Sequence, residues 1–131
     1  MLSTRFDIKS WDEKPYREQP DGAKFARAEV VLAGTGDGLD GATWEALLYY
    51  APDGTSTFVG QMQITGEVDG RTGSFAMQGT GSYDGTTARM ALTVIPGSGT
   101  GDLAGVSGTA EHASTHDDYP HFPLNLDVDL P

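Results

Sequence analysis

The sequence predicts an all-β fold: a closed, antiparallel, eight-stranded barrel built as one domain over residues 1–131. Three observations carry that prediction. Turn signals recur at short spacing, above all Pro52-Asp53-Gly54, Asp69-Gly70 and Asp84-Gly85, and Asp-Gly supplies the positive φ that tight hairpins need. The stretches between these turns are rich in Thr, Val, Tyr and Phe and alternate in polarity, which is the period of strands with two unlike faces. No run of about ten residues keeps a 3.6-residue apolar period without a glycine or a β-branched cluster, so no helix is expected.

The first strand falls at residues 3–11, where Phe6 and Ile8 alternate with Arg5, Asp7 and Lys9. The second, at 25–33, sets Ala26, Ala28, Val30 and Leu32 against Arg27 and Glu29. A central meander follows at 43–51, 56–68, 73–83 and 86–95, with Phe58, Met62 and Ile64, then Phe75 and Met77, marking its alternation. Strands at 105–113 and 122–130 complete the set, while 12–24 and 97–104 read as loops at a mouth or lid. Short connections without a crossover helix imply a meander that closes on itself and so removes its exposed edges. Eight strands leave an interior just wide enough to fill with side chains or to hold one small ligand.

Composition excludes several functions. With 19 acidic and 8 basic residues the net charge is −11, which disfavours nucleic acid and anionic membranes as partners. No stretch approaches the roughly 18 apolar residues of a membrane span, and the first 11 residues are too charged for a signal peptide. The absence of cysteine removes disulfides, thiolate metal sites and thiol nucleophiles. A soluble, cytoplasmic protein is expected. Several acids sit in Asp-Gly pairs, so much of the charge reads as solvated turn surface.

Several motifs resemble those of the bacterial DUF3224 family. They are Ser10-Trp11-Asp12-Glu13 with Pro15-Tyr16, Pro52-Asp53-Gly54-Thr55 running into Phe58-Val59-Gly60, and Gly70-Arg71 with Gly73-Ser74-Phe75. Pro96-Gly97-Ser98-Gly99-Thr100-Gly101 with Leu103 and Gly105, and the ending Leu126-Asp127-Val128-Asp129-Leu130, extend the likeness over nearly the whole chain. The resemblance implies an allene-oxide-cyclase-like, calycin-like barrel and carries no activity with it. Where the family often has Leu-Glu-Arg, this chain has Gln61-Met62-Gln63; where it has Gln-His, Gln78-Gly79; and where it has Trp, Leu92. If these positions face the lumen, the cavity is roomier and more apolar than the family norm.

Within Trp44-Glu45-Ala46-Leu47-Leu48-Tyr49-Tyr50 both faces are apolar. Alternation groups Glu45, Leu47 and Tyr49 on one face and Trp44, Ala46, Leu48 and Tyr50 on the other. A lumen carboxylate at Glu45 would be desolvated and shifted toward an acid/base range. The competing reading is an outward Glu45 on a face covered by another subunit. Glu45, Tyr49 and His116 are the candidate catalytic groups, His116 because it matches a histidine of the family pattern. Trp44, Tyr50, Phe58, Met62, Phe75, Met77 and Leu92 either fill the core or line a ligand pocket. Gln61, Gln63 and Gln78 offer both donors and acceptors to an oxygenated ligand.

All three histidines fall in Glu111-His112-x3-His116-Asp117-Asp118-x2-His121. Ser114, Thr115 and Pro120 argue against the helix that would converge an i, i+4 pair, so a solvated acidic loop is preferred to a metal site. Gly97-Ser98-Gly99-Thr100-Gly101 lacks the following helix and the lysine of a phosphate cradle, and no Gly-x-Ser-x-Gly elbow occurs. The leading expectation is therefore a cofactor-independent cyclase or isomerase acting on an apolar, oxygenated, polyketide-like molecule. The alternatives are a non-catalytic barrel that binds a small hydrophobic ligand, and a structural protein with a filled lumen. Assembly of copies into a dimer or larger oligomer is compatible with apolar outer faces.

Overall fold

The computed structural model describes residues 2–36 and 38–131. Its strands are β1 (Leu2–Glu18), β2 (Lys24–Gly34), β3 (Leu39–Tyr50), β4 (Ser56–Val68), β5 (Arg71–Tyr83), β6 (Thr87–Val94), β7 (Thr100–Gly101), β8 (Ser107–Thr115) and β9 (His121–Asp129). Eight of them form an antiparallel ring in the order β1-β2-β3-β4-β5-β6-β8-β9, with β9 returning to β1. The two-residue β7 pairs with Gly73 and Ser74 at one end of β5. A single 3-10 turn, His116–Asp118, joins β8 to β9. Among the described residues no helix is long and apolar enough to cross a membrane.

Local sequence explains the connections. Asp69 and Gly70 both have positive φ, 51° and 78°, the conformation of a two-residue hairpin whose twist matches its strands. The Asp53 and Asp84 carboxylates accept backbone N–H bonds from Thr55 and from Thr86 and Thr87. The Thr55 hydroxyl, which also donates to Asp53, together with its N–H lowers the Asp53 pKa, and the two backbone bonds lower that of Asp84.

Cross-strand register decides which face is inside. Val30, Trp44, Met62, Met77 and Val94 form one continuous row of partners, and all five are buried. Phe6, Phe75, Leu124 and Leu126 pack into the same core. Glycines make room for the largest rings. A Cβ on Gly81 would lie 2.3 Å from Phe58, and one on Gly60 would lie 2.8 Å from Trp44.

Two segments depart from the sequence reading. Residues 12–18 belong to β1, which pairs with β2 as far as Glu18. Bulges after Ile8 and Pro15, and the lack of a β9 partner beyond Asp7, erase the alternation that would have revealed this strand. The 97–104 segment sits at the opposite end of the ring from the open mouth. There it seals the core with Leu103, which is fully buried, and Val106 lies beside it in sequence and is buried too.

Candidate functional site

Buried side chains fill much of the interior, and a cavity opens at one end. That end is framed by the β3–β4 and β5–β6 turns, the outer half of β1 and the 3-10 turn. A cavity of about 320 Å³ occupies it, walled by Trp44, Leu48, Phe58, Met90 and Phe122. Trp11 and Tyr119 stand exposed at its rim.

Polar groups enter this apolar wall in pairs. Tyr50 donates its hydroxyl to Glu13 Oε2 at 2.5 Å, and Trp11 Nε1 donates to Oε1 of the same carboxylate at 3.1 Å. Burial and the adjacent Glu13 carboxylate push the Tyr50 hydroxyl well above its ordinary range. On the far wall, the His112 ring stacks on Phe122 at 3.8 Å between centroids. His112 Nδ1 lies 2.6 Å from the Pro123 carbonyl oxygen and Nε2 lies 3.0 Å from Ser114 Oγ. A carbonyl only accepts, so Nδ1 carries the proton, and neutral Nε2 accepts from Ser114. Burial lowers the His112 pKa, against the smaller raising effects of the Pro123 bond and of Asp118. Tyr83 meets His116 Nε2 at 2.9 Å, and His121 Nδ1 meets Asp7 at 2.8 Å.

The structure divides the sequence-derived candidates three ways. Trp44, Tyr50, Phe58 and His116 line the mouth cavity. Met62, Phe75, Met77 and Leu92 are buried in the filled core beneath it. Glu45, Tyr49, Gln61, Gln63 and Gln78 face outward, which corrects the expectation of a lumen carboxylate and lumen amides. The physical reason is register: Trp44 pairs with Val30 and Met62 inside, so Glu45 joins the next row outward, with Glu29, Gln61 and Gln78. Its side chain is 63% exposed and lies 3.6 Å from Arg27. Glu45, Gln61 and Gln78 do come together, in a shallow outer depression beside Leu47 and Val59.

Sequence reasoning missed Glu13 and Ser114 as site groups and considered His112 and His121 only as metal ligands. The strand end, the 3-10 turn and the start of β9 bring all three histidines to one mouth. Among the described residues no group of three or more metal-ligating side chains converges. The signal for Glu13 lies in Ser10-Trp11-Asp12-Glu13, but from sequence alone residues 12–24 read as a loop.

Comparison with solved structures places the architecture beside a protein of unknown function from the DUF3224 family of Shewanella oneidensis MR-1. The two share 23% sequence identity at a TM-score of 0.72, over 100% of this chain and 98% of the other. That likeness concerns the fold. No curated protein matches the sequence. The family model described as a protein of unknown function, DUF3224, matches residues 2–126, and the chain belongs to that family.

Proposed function

We propose that the ring closes as an eight-stranded barrel of the allene-oxide-cyclase-like, calycin-like kind, and that its open mouth binds a small, largely apolar, oxygenated molecule. The observation that carries this reading is the mouth cavity itself, about 320 Å³ with aromatic walls. That volume lies near the lower end of the roughly 300–1,000 Å³ usual for ligand pockets. A filled structural scaffold has no need of such an opening. The −11 charge and the lack of cysteine suit a cytoplasmic protein whose partner is a small molecule.

Both tryptophans of the chain, Trp11 and Trp44, line the cavity. Indole emission is therefore a direct reporter of occupancy. N-phenyl-1-naphthylamine, a neutral fluorophore that brightens in apolar surroundings, should bind saturably and receive excitation energy from the tryptophans. Ala88→Trp fills the cavity from its wall and should abolish that signal while leaving the fold intact. A signal that survives Ala88→Trp, or no signal in the parent protein, rejects the mouth as the binding site.

A second reading, cofactor-independent cyclisation or isomerisation, draws on Glu13. This carboxylate accepts hydrogen bonds from Trp11 and Tyr50 and lies opposite Ala28, three residues of the cavity wall. A base so placed can take a proton from a bound hydroxyl while the walls fold the substrate toward ring closure. The ring closure of 2′-hydroxychalcone, in which a phenol oxygen adds to an enone with no net change in composition, is a suitable probe. Acceleration that disappears in Glu13→Gln supports catalysis; acceleration unchanged in that variant excludes Glu13 as the base.

A further inference from the structure

The hydroxyl and imidazole protons at the mouth are almost all directed into the protein. Ser114 spends its proton on His112 Nε2, because His112 Nδ1–H is already committed to the Pro123 carbonyl. Tyr50 spends its proton on Glu13. Tyr83 donates to the Gly85 carbonyl at 2.9 Å, so its bond with His116 is satisfied when His116 Nε2–H donates to the Tyr83 oxygen. That choice leaves neutral His116 with an acceptor at Nδ1. His121 uses its Nδ1–H on Asp7, which leaves an acceptor at Nε2 when the ring is neutral. Ser56 and the rim residue Tyr119 keep hydroxyls that can turn either way.

What these groups offer a ligand is therefore mainly lone pairs: those of Ser114 Oγ, the Tyr50 oxygen and the free imidazole nitrogens. Turning Ser114 outward to donate would strip the buried His112 Nε2 of its partner, and an unsatisfied buried acceptor is costly. Turning Tyr50 outward would break a bond to a carboxylate, which is stronger than a neutral one. A ligand that brings only acceptors meets lone pairs, and a ligand carboxylate also brings negative charge toward Glu13, one hydrogen bond behind Tyr50.

We propose that the mouth selects molecules that carry hydrogen-bond donors, namely phenols and other hydroxy- or amino-substituted aromatics, over the corresponding ethers and carboxylates. This inference rests on the reading of the mouth as a ligand pocket. Titration calorimetry with 2-naphthol, 2-methoxynaphthalene and 2-naphthoate tests the two ideas separately. The naphthol should bind about tenfold more tightly than its methyl ether, the difference expected of one well-placed hydrogen bond, and the naphthoate most weakly. Ser114→Ala should narrow the preference by weakening the naphthol and leaving the ether unchanged. Equal or tighter binding of the ether overturns the selectivity while leaving the pocket standing. Binding of none of the three overturns both.

Discussion

Tyr50, at the end of β3, donates its hydroxyl to Glu13 on β1 across 2.5 Å, tying the outer half of β1 to the wall of the ring. The two lie 37 residues apart in the chain. The bond ties a carboxylate to Tyr50, a residue of the cavity wall, and holds the phenol in its neutral form.

Tyr50→Phe removes that bond and leaves Glu13 with Trp11 alone. The expected cost is about 1 kcal/mol, below the range of fully buried charged hydrogen bonds because the pair is only part-buried. Urea denaturation measures it. The Tyr50 pKa is raised above its ordinary 10.0, so its contribution is complete below pH 10 and is lost as pH climbs toward the folded-state value. Spectrophotometric titration at high pH should show one tyrosine ionising last, and that component should vanish in Tyr50→Phe.

His112 works in the other direction. Burial lowers its pKa below the ordinary 6.5, so the unfolded chain binds the extra proton first. Its stabilising effect is therefore complete above pH 6.5 and is lost as pH falls through the folded-state value. Denaturation midpoints recorded at successive pH values below neutrality should decline in the parent protein. In His112→Phe, which keeps the stack on Phe122, the histidine part of that slope should disappear. An identical slope in both proteins would exclude His112 as its source.

The inward glycines make a third prediction. At Gly81 an added Cβ would stand 2.3 Å from the Phe58 ring and 2.4 Å from the Arg89 carbonyl oxygen. Neither contact relaxes without moving a strand or the aromatic wall of the cavity. Gly81→Ala should cost roughly 1–3 kcal/mol, as overpacking does, and should weaken ligand binding by displacing Phe58. Thermal denaturation and the fluorophore titration read the two effects.

How far the sequence revealed this site depended on how local the deciding interactions were. Strands between Asp-Gly turns were legible because turn chemistry and alternation are local. The inner face of β3 was not, because Leu47 and Tyr49 are as apolar as Trp44 and Leu48. The choice is made by the row that Trp44 shares with Val30 and Met62. Glu13 was hidden by a bulge. Alternation from Phe6 and Ile8 would send Ser10 and Asp12 inward, but the extra residue after Ile8 puts Trp11 opposite Val30 and Glu13 opposite Ala28.

The outward position of Glu45 yields a prediction of little effect. Its partner Arg27 lies 3.6 Å away, and both side chains are more than half exposed. Exposed pairs of this kind contribute little. Glu45→Gln should change stability by no more than about 0.5 kcal/mol and leave fluorophore affinity at the mouth unaltered. A large loss of affinity at unchanged stability would mean that the outer depression, and not the mouth, carries the function.

The closed end of the ring supplies the last prediction. Leu103 belongs to no strand, yet it is fully buried and joins the same core as Phe75 and Val94. Its loop is held by short-range backbone bonds, from Leu103 N–H to Thr100 and from Val106 N–H to Leu103, and by the bond from Asp102 N–H to Thr72 on β5. The β7 pairing, Ser98 bonded to the Ala76 backbone and Thr100 bonded to Ser74 add polar ties to β5, and the Leu103 side chain is the segment's buried apolar anchor. Leu103→Ala should cost about 2–5 kcal/mol, as large-to-small changes in a filled core do. It should also raise hydrogen exchange across residues 97–104 before the rest of the ring responds. Because the mouth lies at the other end, fluorophore affinity in the folded fraction should stay at the parent value. Loss of affinity together with loss of the plug would show that the two ends are coupled through the packed interior.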